Sequence, residues 1–337
     1  MLNKKIIFIF DSGKKIGAGH FGRCCSFAEQ LREKYKKSNF YFLSCDDSFK
    51  KEIIENNSNF FLLKNYNPSY LVDCIKKINP EMIVMDSYQI PFNSEKALFK
   101  NFKKTIVFGD NISKRKQGLI YINYNFKEKE DTVKIKKFIN FKKVFLGPTF
   151  FISSNILKKK IEIKQKSKIK NVLIYFGASK NSFILKKLLG ILEKDFFKDF
   201  NFITVIGKYD FYNYPLRYKN KNFVFIKAQS NKKFLNIASK CQISIGSGGV
   251  SCWERMKLGL FNMVVITAKN QIKSVKSLSS RGYVHNLGNL KKLNFNNLEI
   301  KLGKLFLDTK LINNVRNKSK ILLAKSKVKL IKKYQKI

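Results

Sequence analysis

His20 is one of two histidines in the chain and stands in a glycine-rich run, Ile16-Gly17-Ala18-Gly19-His20-Phe21-Gly22-Arg23-Cys24. The apolar stretch Lys5 to Phe10 precedes it, and Phe21, Cys24, Phe27, Ala28, Leu31 and Tyr35 follow at helical spacing. The pattern predicts a strand, a glycine loop and a helix start. Gly17 and Gly19 allow close approach of backbone to a ligand, and the N–H groups of a helix start favour an anion. An imidazole placed there, with its ordinary pKa near ~6.5, suits a base at neutral pH. The same histidine also fits a helix cap or a surface position, so the loop alone does not decide.

A second run, Gly246-Ser247-Gly248-Gly249-Val250-Ser251-Cys252-Trp253-Glu254, lies between another apolar stretch and another helical pattern. Gly246, Ser247, Gly248, Gly249 and Val250 make a nest for a diphosphate. Glu254, one helical turn inside, fits hydrogen bonds to two ribose hydroxyls, or serves as an acid near a helix N-terminus. Asn270 and Gln271 follow the next strand, where their amides hold a sugar or phosphate oxygen or simply form a turn. Trp253 reads as core.

The elements that position these residues alternate. Strands are predicted over 4–10, 40–44, 59–63, 82–86 and 105–108, with helices such as 68–78 and 93–102 between them. His20, Asp86, Tyr88 and Asp110 follow strand ends and are expected along one sheet edge. After Leu146-Gly147-Pro148 a lysine-rich stretch reads as a linker. A second cycle follows, with strands at 171–176, 202–207, 223–226, 241–245 and 263–266 and helices at 231–239 and from Val250 to Gly259. The expected fold class is α/β, a GT-B type pair of Rossmann-like domains with parallel sheets facing a cleft. The expected boundaries are an N-terminal domain at 1–152, a linker at 153–170, a nucleotide-binding domain at 171–303 and a helical tail at 304–337.

Composition narrows the function classes. The 337 residues carry 68 Lys and Arg against 23 Asp and Glu, a net charge of +45. The cations are nearly all lysine, and arginine, the usual reader of base edges and phosphates, is scarce. Lysine abounds beside Asn, Ile, Phe and Tyr, all with AT-rich codons, and is spread along the chain. Nucleic acid is therefore not expected as a partner. No apolar run reaches the ~18–20 residues of a membrane span and no signal-peptide cleavage pattern opens the chain, so a cytoplasmic protein is expected; the sequence does not reveal the oligomeric state, and a monomer is the working expectation. The six cysteines form no C-x-x-C pair and read as core thiols. No metal and no cofactor are expected.

Taken together, the ordered motifs resemble the PseG family, UDP-sugar hydrolases of pseudaminic acid biosynthesis related to MurG-like glycosyltransferases. The resemblance rests on Asp11-Ser12, Ile16 to Cys24, Asp86-Ser87-Tyr88, Asp110, Asn123-Tyr124-Asn125, Leu146-Gly147-Pro148, Tyr175-Phe176-Gly177-Ala178-Ser179, Gly246 to Arg255 and Asn270-Gln271. It implies hydrolysis of UDP-2,4-diacetamido-2,4,6-trideoxy-β-L-altrose by water attack at the anomeric carbon, with inversion and without metal. It further implies His20 as the base, Asp11, Gly17, Gly19, Tyr88 and Asp110 around the sugar, and Gly177, Ser179, Gly246–Val250, Glu254, Asn270 and Gln271 around UDP. Ile9 replaces a family arginine, Ala178 a glycine and Lys180 an acid, which bears on the sugar. The alternatives are a MurG-like UDP-sugar glycosyltransferase and, more distantly, a basic anion- or nucleic-acid-binding protein without catalysis.

Overall fold

The structure, a computed structural model, describes residues 4–109, 117–126, 140–158, 170–210, 222–227 and 230–324. The chain divides into two compact units, with the break after Asn155.

The first unit is built on a seven-stranded sheet of order β3-β2-β1-β4-β5-β6-β7, in which every pairing is parallel. The strands are β1 (Lys5–Phe10), β2 (Asn39–Ser44), β3 (Asn59–Leu62), β4 (Met82–Asp86), β5 (Thr105–Phe108), β6 (Gln117–Asn123) and β7 (Asn140–Leu146). Helices α1 (Gly19–Lys34), α2 (Lys50–Glu55), α3 (Pro68–Ile78) and α4 (Phe92–Asn101) make the crossovers. Central strands covered on both faces need side chains that are apolar at every position, not every second one. β1 meets that demand, with Ile6, Ile7, Phe8, Ile9 and Phe10 all fully buried. Phe8 stacks on Phe42 at 4.8 Å between centroids and meets Phe27 of α1 edge-on, which fixes α1 against the sheet.

The second unit holds a six-stranded parallel sheet of order β10-β9-β8-β11-β12-β13. Its strands are β8 (Asn171–Tyr175), β9 (Asn201–Ile206), β10 (Phe223–Lys227), β11 (Ile243–Ser247), β12 (Phe261–Ile266) and β13 (His285–Asn289). Its helices are α5 (Ser182–Leu192), α6 (Asn231–Ala238), α7 (Val250–Lys257), α8 (Gln271–Ser280), α9 (Phe295–Leu307) and α10 (Thr309–Ala324). Leu298, Leu302 and Phe306 of α9 and Ile312 and Val315 of α10 enter the same core as Ile174, Leu188 and Ile245. The domain end expected at 303 thus falls within α9, the core extends to Val315, and residues up to 324 belong to the same compact unit. The rest of that tail, and 159–169 of the expected linker, lie outside the described residues. Among the described residues no helix is long and apolar enough to cross a membrane.

Candidate active site

Each sheet reverses its strand order once. In the first, β1 connects to β2 and β3 on one side, while β4 and β5 lie on the other. A crevice opens beyond the carboxyl ends of strands at such a reversal. Phe10 pairs with Asp86, so the residues leaving β1 and β4 start side by side.

Beyond β1 the chain turns back on itself. The Gly17 N–H donates to the Gly13 carbonyl at 2.7 Å, and both glycines have positive φ, +83° and +129°. Only glycine takes these angles without strain, so the tight turn explains Gly17 directly. It delivers Gly19 as the first residue of α1 and His20 into its first turn, where no side chain caps the helix and no acid is present.

His20 is 7% exposed, and its Nδ1 lies 2.6 Å from Asp86 Oδ1. Arg23, one turn along α1, closes the set: its Nε donates to Asp86 Oδ2 at 2.5 Å and its Nη2 to Oδ1 at 2.6 Å. The guanidinium also donates to the Tyr124 hydroxyl at 3.2 Å and lies over the Phe108 and Tyr124 rings. Asp86 is fully buried. Burial alone would raise its carboxyl, but Arg23 and His20 outweigh that and hold it below the ordinary value. Its folded pKa lies below the unfolded one, so the cluster stabilises the fold above pH ~4 and loses that contribution as pH falls through the folded value. A carboxylate at Nδ1 keeps the proton on that nitrogen and leaves Nε2 as the basic atom. Nε2 has no partner among the described residues.

Asp11 and Tyr88 shape the rim. Asp11 is buried and accepts four hydrogen bonds: from the Ser87 hydroxyl (2.5 Å), the Tyr88 N–H (2.5 Å), the Gln89 N–H (3.2 Å) and the Tyr66 hydroxyl (3.4 Å). It thus builds the turn that sets the Tyr88 ring edge-on to His20, 4.6 Å between centroids. Asp110 lies outside the described residues. Asp86 was placed at the right sheet edge by the sequence but not among the candidate residues, and Arg23 had no assigned role. What marks both is that a buried acid ends β4 and a buried arginine follows His20 by three positions. Burial pushes the Cys24, Cys25 and Cys252 thiols well up or up, so none is a poised nucleophile.

In the second sheet the reversal falls between β8 and β11, and again the expected residues stand there. Gly177 follows β8 with φ +95°, and a Cβ on it would come 3.8 Å from the Ser247 hydroxyl oxygen, so these two residues meet. Ser179 lies in the same turn, its carbonyl accepting from Asn181 Nδ2 at 2.6 Å. Gly246 and Ser247 are the last residues of β11, not loop residues. A Cβ on Gly246 would collide with the Tyr175 carbonyl and press on the Arg255 guanidinium. Arg255 is itself buried and bonded to Ser244 and to the Ser247 and Ser251 carbonyls. Gly246 therefore serves strand packing. Gly246→Ala is expected to lower stability by about 1–3 kcal/mol, read as a fall in the urea midpoint with an unchanged slope.

Gln271 Oε1 accepts from the Gly248 N–H (3.2 Å), the Thr267 N–H (3.0 Å) and the Thr267 hydroxyl (3.3 Å). The Gly248 N–H is thereby engaged, which leaves the start of α7 as the candidate backbone donor set. Gly249 is its N-cap, Val250 its first residue, no side chain caps it and its first turn has no acid. Glu254 is 6% exposed, with Oε1 accepting from Asn231 Nδ2 at 3.2 Å. Asn270 is exposed at the N-cap of α8 without a side-chain cap bond. Trp253 is buried, as its sequence setting implied. Among the described residues no group of three or more His, Cys, Asp or Glu is placed to hold a metal ion.

Set beside known structures, the chain covers 94% of itself and 94% of Acinetobacter baumannii MurG with a TM-score of 0.63 and 12% identity. Against the UDP-GlcNAc 2-epimerase of Neisseria meningitidis bound to UDP-GlcNAc it covers 99% and 100%, with a TM-score of 0.64 and 13% identity. The chain has the GT-B fold. The kitacinnamycin glycotransferase shares it, with a TM-score of 0.60, 10% identity and 96% and 95% coverage. No family model matches the sequence. An uncharacterized protein of Methanocaldococcus jannaschii is 29% identical over 281 residues, which are 80% of this chain and 56% of that protein. The chain thus spans little more than half the length of this relative.

Proposed function

We propose that this GT-B protein is a UDP-sugar hydrolase that releases UDP and the free sugar. The observation that carries the reading is the buried His20–Asp86–Arg23 cluster, which leaves one basic imidazole nitrogen without a partner among the described residues, at the reversal of the first sheet. The neighbours named for UDP-GlcNAc chemistry and for MurG support the nucleotide. The sequence resemblance supports the finer assignment, a UDP-linked 2,4-diacetamido-2,4,6-trideoxy sugar in pseudaminic acid biosynthesis.

In this reading UDP binds the second unit, its diphosphate on the N–H groups opening α7 and its ribose on Glu254. His20 Nε2 takes a proton from water as the oxygen attacks the anomeric carbon. The bond from that carbon to the β-phosphate oxygen breaks, and its electron pair leaves with UDP. Backbone N–H groups fixed before the reaction lower the cost of that developing charge. Asp86 holds the tautomer, Arg23 holds Asp86, and Asp11 holds the turn bearing Tyr88.

The test is a panel of UDP-sugars incubated with the protein alone and followed by NMR. Equal amounts of UDP and free sugar, the sugar first appearing with inverted anomeric configuration, are expected. Release that occurs only after an acceptor is added would instead make the protein a transferase. Glu254→Ala is expected to weaken UDP binding by about 10-fold or more, the worth of charge-assisted bonds to hydroxyls. Calorimetric titration with UDP measures this, and an unchanged affinity would exclude Glu254 from the ribose.

A further inference from the structure

Four large apolar side chains of the second unit stand in solvent: Phe183 of α5 (61% exposed), Phe196 (48%), and Ile300 (61%) and Leu307 (69%) of α9. Contacts between their elements bring them to one face. The Phe183 ring meets Phe295 of α9 edge-on, 6.0 Å between centroids. Lys194, between α5 and the single turn Asp195–Phe197, bonds Glu299 of α9 at 2.6 Å. A Cβ on Gly303 of α9 would lie 3.7 Å from the Phe196 ring. Leu298, Leu302, Leu305 and Phe306 send one apolar row of α9 into the core. Ile300, Gly303 and Leu307, at i, i+3 and i+7, make a second row on another side of the same helix. One row is enough to hold a surface helix on its core, so the second marks a contact with another molecule.

The charge of this face differs from that of the chain. Residues 182–200 and 295–308 hold six lysines and five acids, against 68 cations and 23 acids in the whole sequence. The five are Glu193, Asp195, Asp199, Glu299 and Asp308. Between 170 and 324 there are only two more, Asp210 and Glu254, and both are buried. Every acid of that stretch that is not buried therefore lies on α9, at its end, or on the segment packed against it. This near balance selects the occupant. A nucleic acid or an anionic lipid surface gains little from a face whose charges cancel. A second copy, with its net charge of +45, is repelled by the lysines elsewhere and meets this face without that repulsion. Both signs on one patch also make it self-complementary, as a two-fold contact requires.

We propose that this face joins two copies of the chain in a two-fold dimer, in place of the monomer expected from the sequence. The two α9 helices cross antiparallel at Gly303, where the missing side chain lets the backbones approach. That crossing sets Ile300 of each copy against Leu307 of the other, with Phe196 and Phe183 at the flanks. None of the candidate site residues takes part, so the dimer stands apart from the UDP-sugar reading.

Sedimentation velocity tests it. The weight-average mass is expected to rise from 39.3 kDa toward twice that value as the concentration goes from ~1 to ~100 µM. The dissociation constant is expected to fall several-fold between ~0.05 M and ~0.5 M salt, since screening weakens the repulsion between the copies. Ile300→Lys and Leu307→Lys, both at exposed positions, are each expected to raise it about tenfold or more, because symmetry counts each change twice. Ile54→Lys, the same kind of change at an exposed position of α2 in the first unit, leaves it unchanged. Far-UV circular dichroism confirms the fold of each variant. A mass of 39.3 kDa at every concentration and salt overturns the proposal, as does a dimer that survives both α9 variants. A dimer that salt weakens rests on attraction between opposite charges and overturns it too. A monomer that floats with phosphatidylcholine vesicles, and no longer does so after Ile300→Lys, gives the face to lipid instead.

Discussion

His20→Gln is expected to cut the rate of UDP-sugar hydrolysis by roughly 10³-fold or more while UDP affinity stays within a few fold. Glutamine keeps a polar group of similar reach beside Asp86, so the cluster retains a hydrogen-bonding neighbour and the fold is not confronted with an empty buried site. What it lacks is a nitrogen that can take a proton at neutral pH. The loss should therefore fall on kcat, read from single-turnover release of UDP, with the calorimetric UDP titration as the control. The second unit carries the proposed diphosphate contacts on the start of α7, whereas His20 stands on α1 of the first. Near-normal turnover would remove His20 as the base. A joint loss of turnover and UDP affinity would instead point to a structural effect.

The central strands were legible because burial on both faces leaves an unmistakable apolar run. Lys5–Phe10, Met82–Asp86 and Asn171–Tyr175 are such runs, and the structure places each beside the reversal of its sheet. β6, β7 and β13 were not read. β7 carries Lys142 and Lys143 in its middle and lies at the edge of its sheet, where one side of the ladder is unpaired and the apolar demand is halved. β13, His285-Asn286-Leu287-Gly288-Asn289, is also an edge strand. Its register against β12 shifts between Val264 and Val265, and only Leu287 is buried.

The candidate site was legible in its positions and less so in its division of labour. Glycine loops and strand ends mark candidate positions, and the structure places His20, Tyr88, Gly177 and Gly249 just beyond strands β1, β4, β8 and β11. Partner choice is not local: His20 and Asp86 are 66 residues apart and meet because β4, not β2 alone, pairs with β1. Asp11 was expected around the sugar, and its four hydrogen bonds make it the organiser of the 87–89 turn. Gly246 and Gly248 have the spacing of a phosphate nest. Yet the room around Gly246 is filled by Tyr175 and Arg255, and the Gly248 N–H by Gln271. Whether a backbone N–H is still available depends on side chains that arrive from other strands, which spacing along one segment does not encode.

Asp86→Asn separates catalysis from packing in this cluster. The amide cannot hold the Nδ1 proton as a carboxylate does, and turnover is expected to fall by about 10²–10⁴-fold. The same change strips Arg23 of its counter-charge at a site where both groups are buried. An unpaired buried guanidinium costs about 3–5 kcal/mol, so the urea midpoint should fall as well. The double variant Asp86→Asn with Arg23→Met removes both charges and replaces the arginine stem with an apolar chain of similar length. Its stability is expected to recover most of the loss, since a missing pair is cheaper than a broken one, while turnover stays at the level of the single variant. If turnover returned together with stability, Asp86 would be a support for Arg23 alone. If neither returned, the contacts of Arg23 with Tyr124 and Phe108 would be what holds α1 to the sheet. Recovery of stability without turnover leaves one role for Asp86: fixing the imidazole so that Nε2 faces the water.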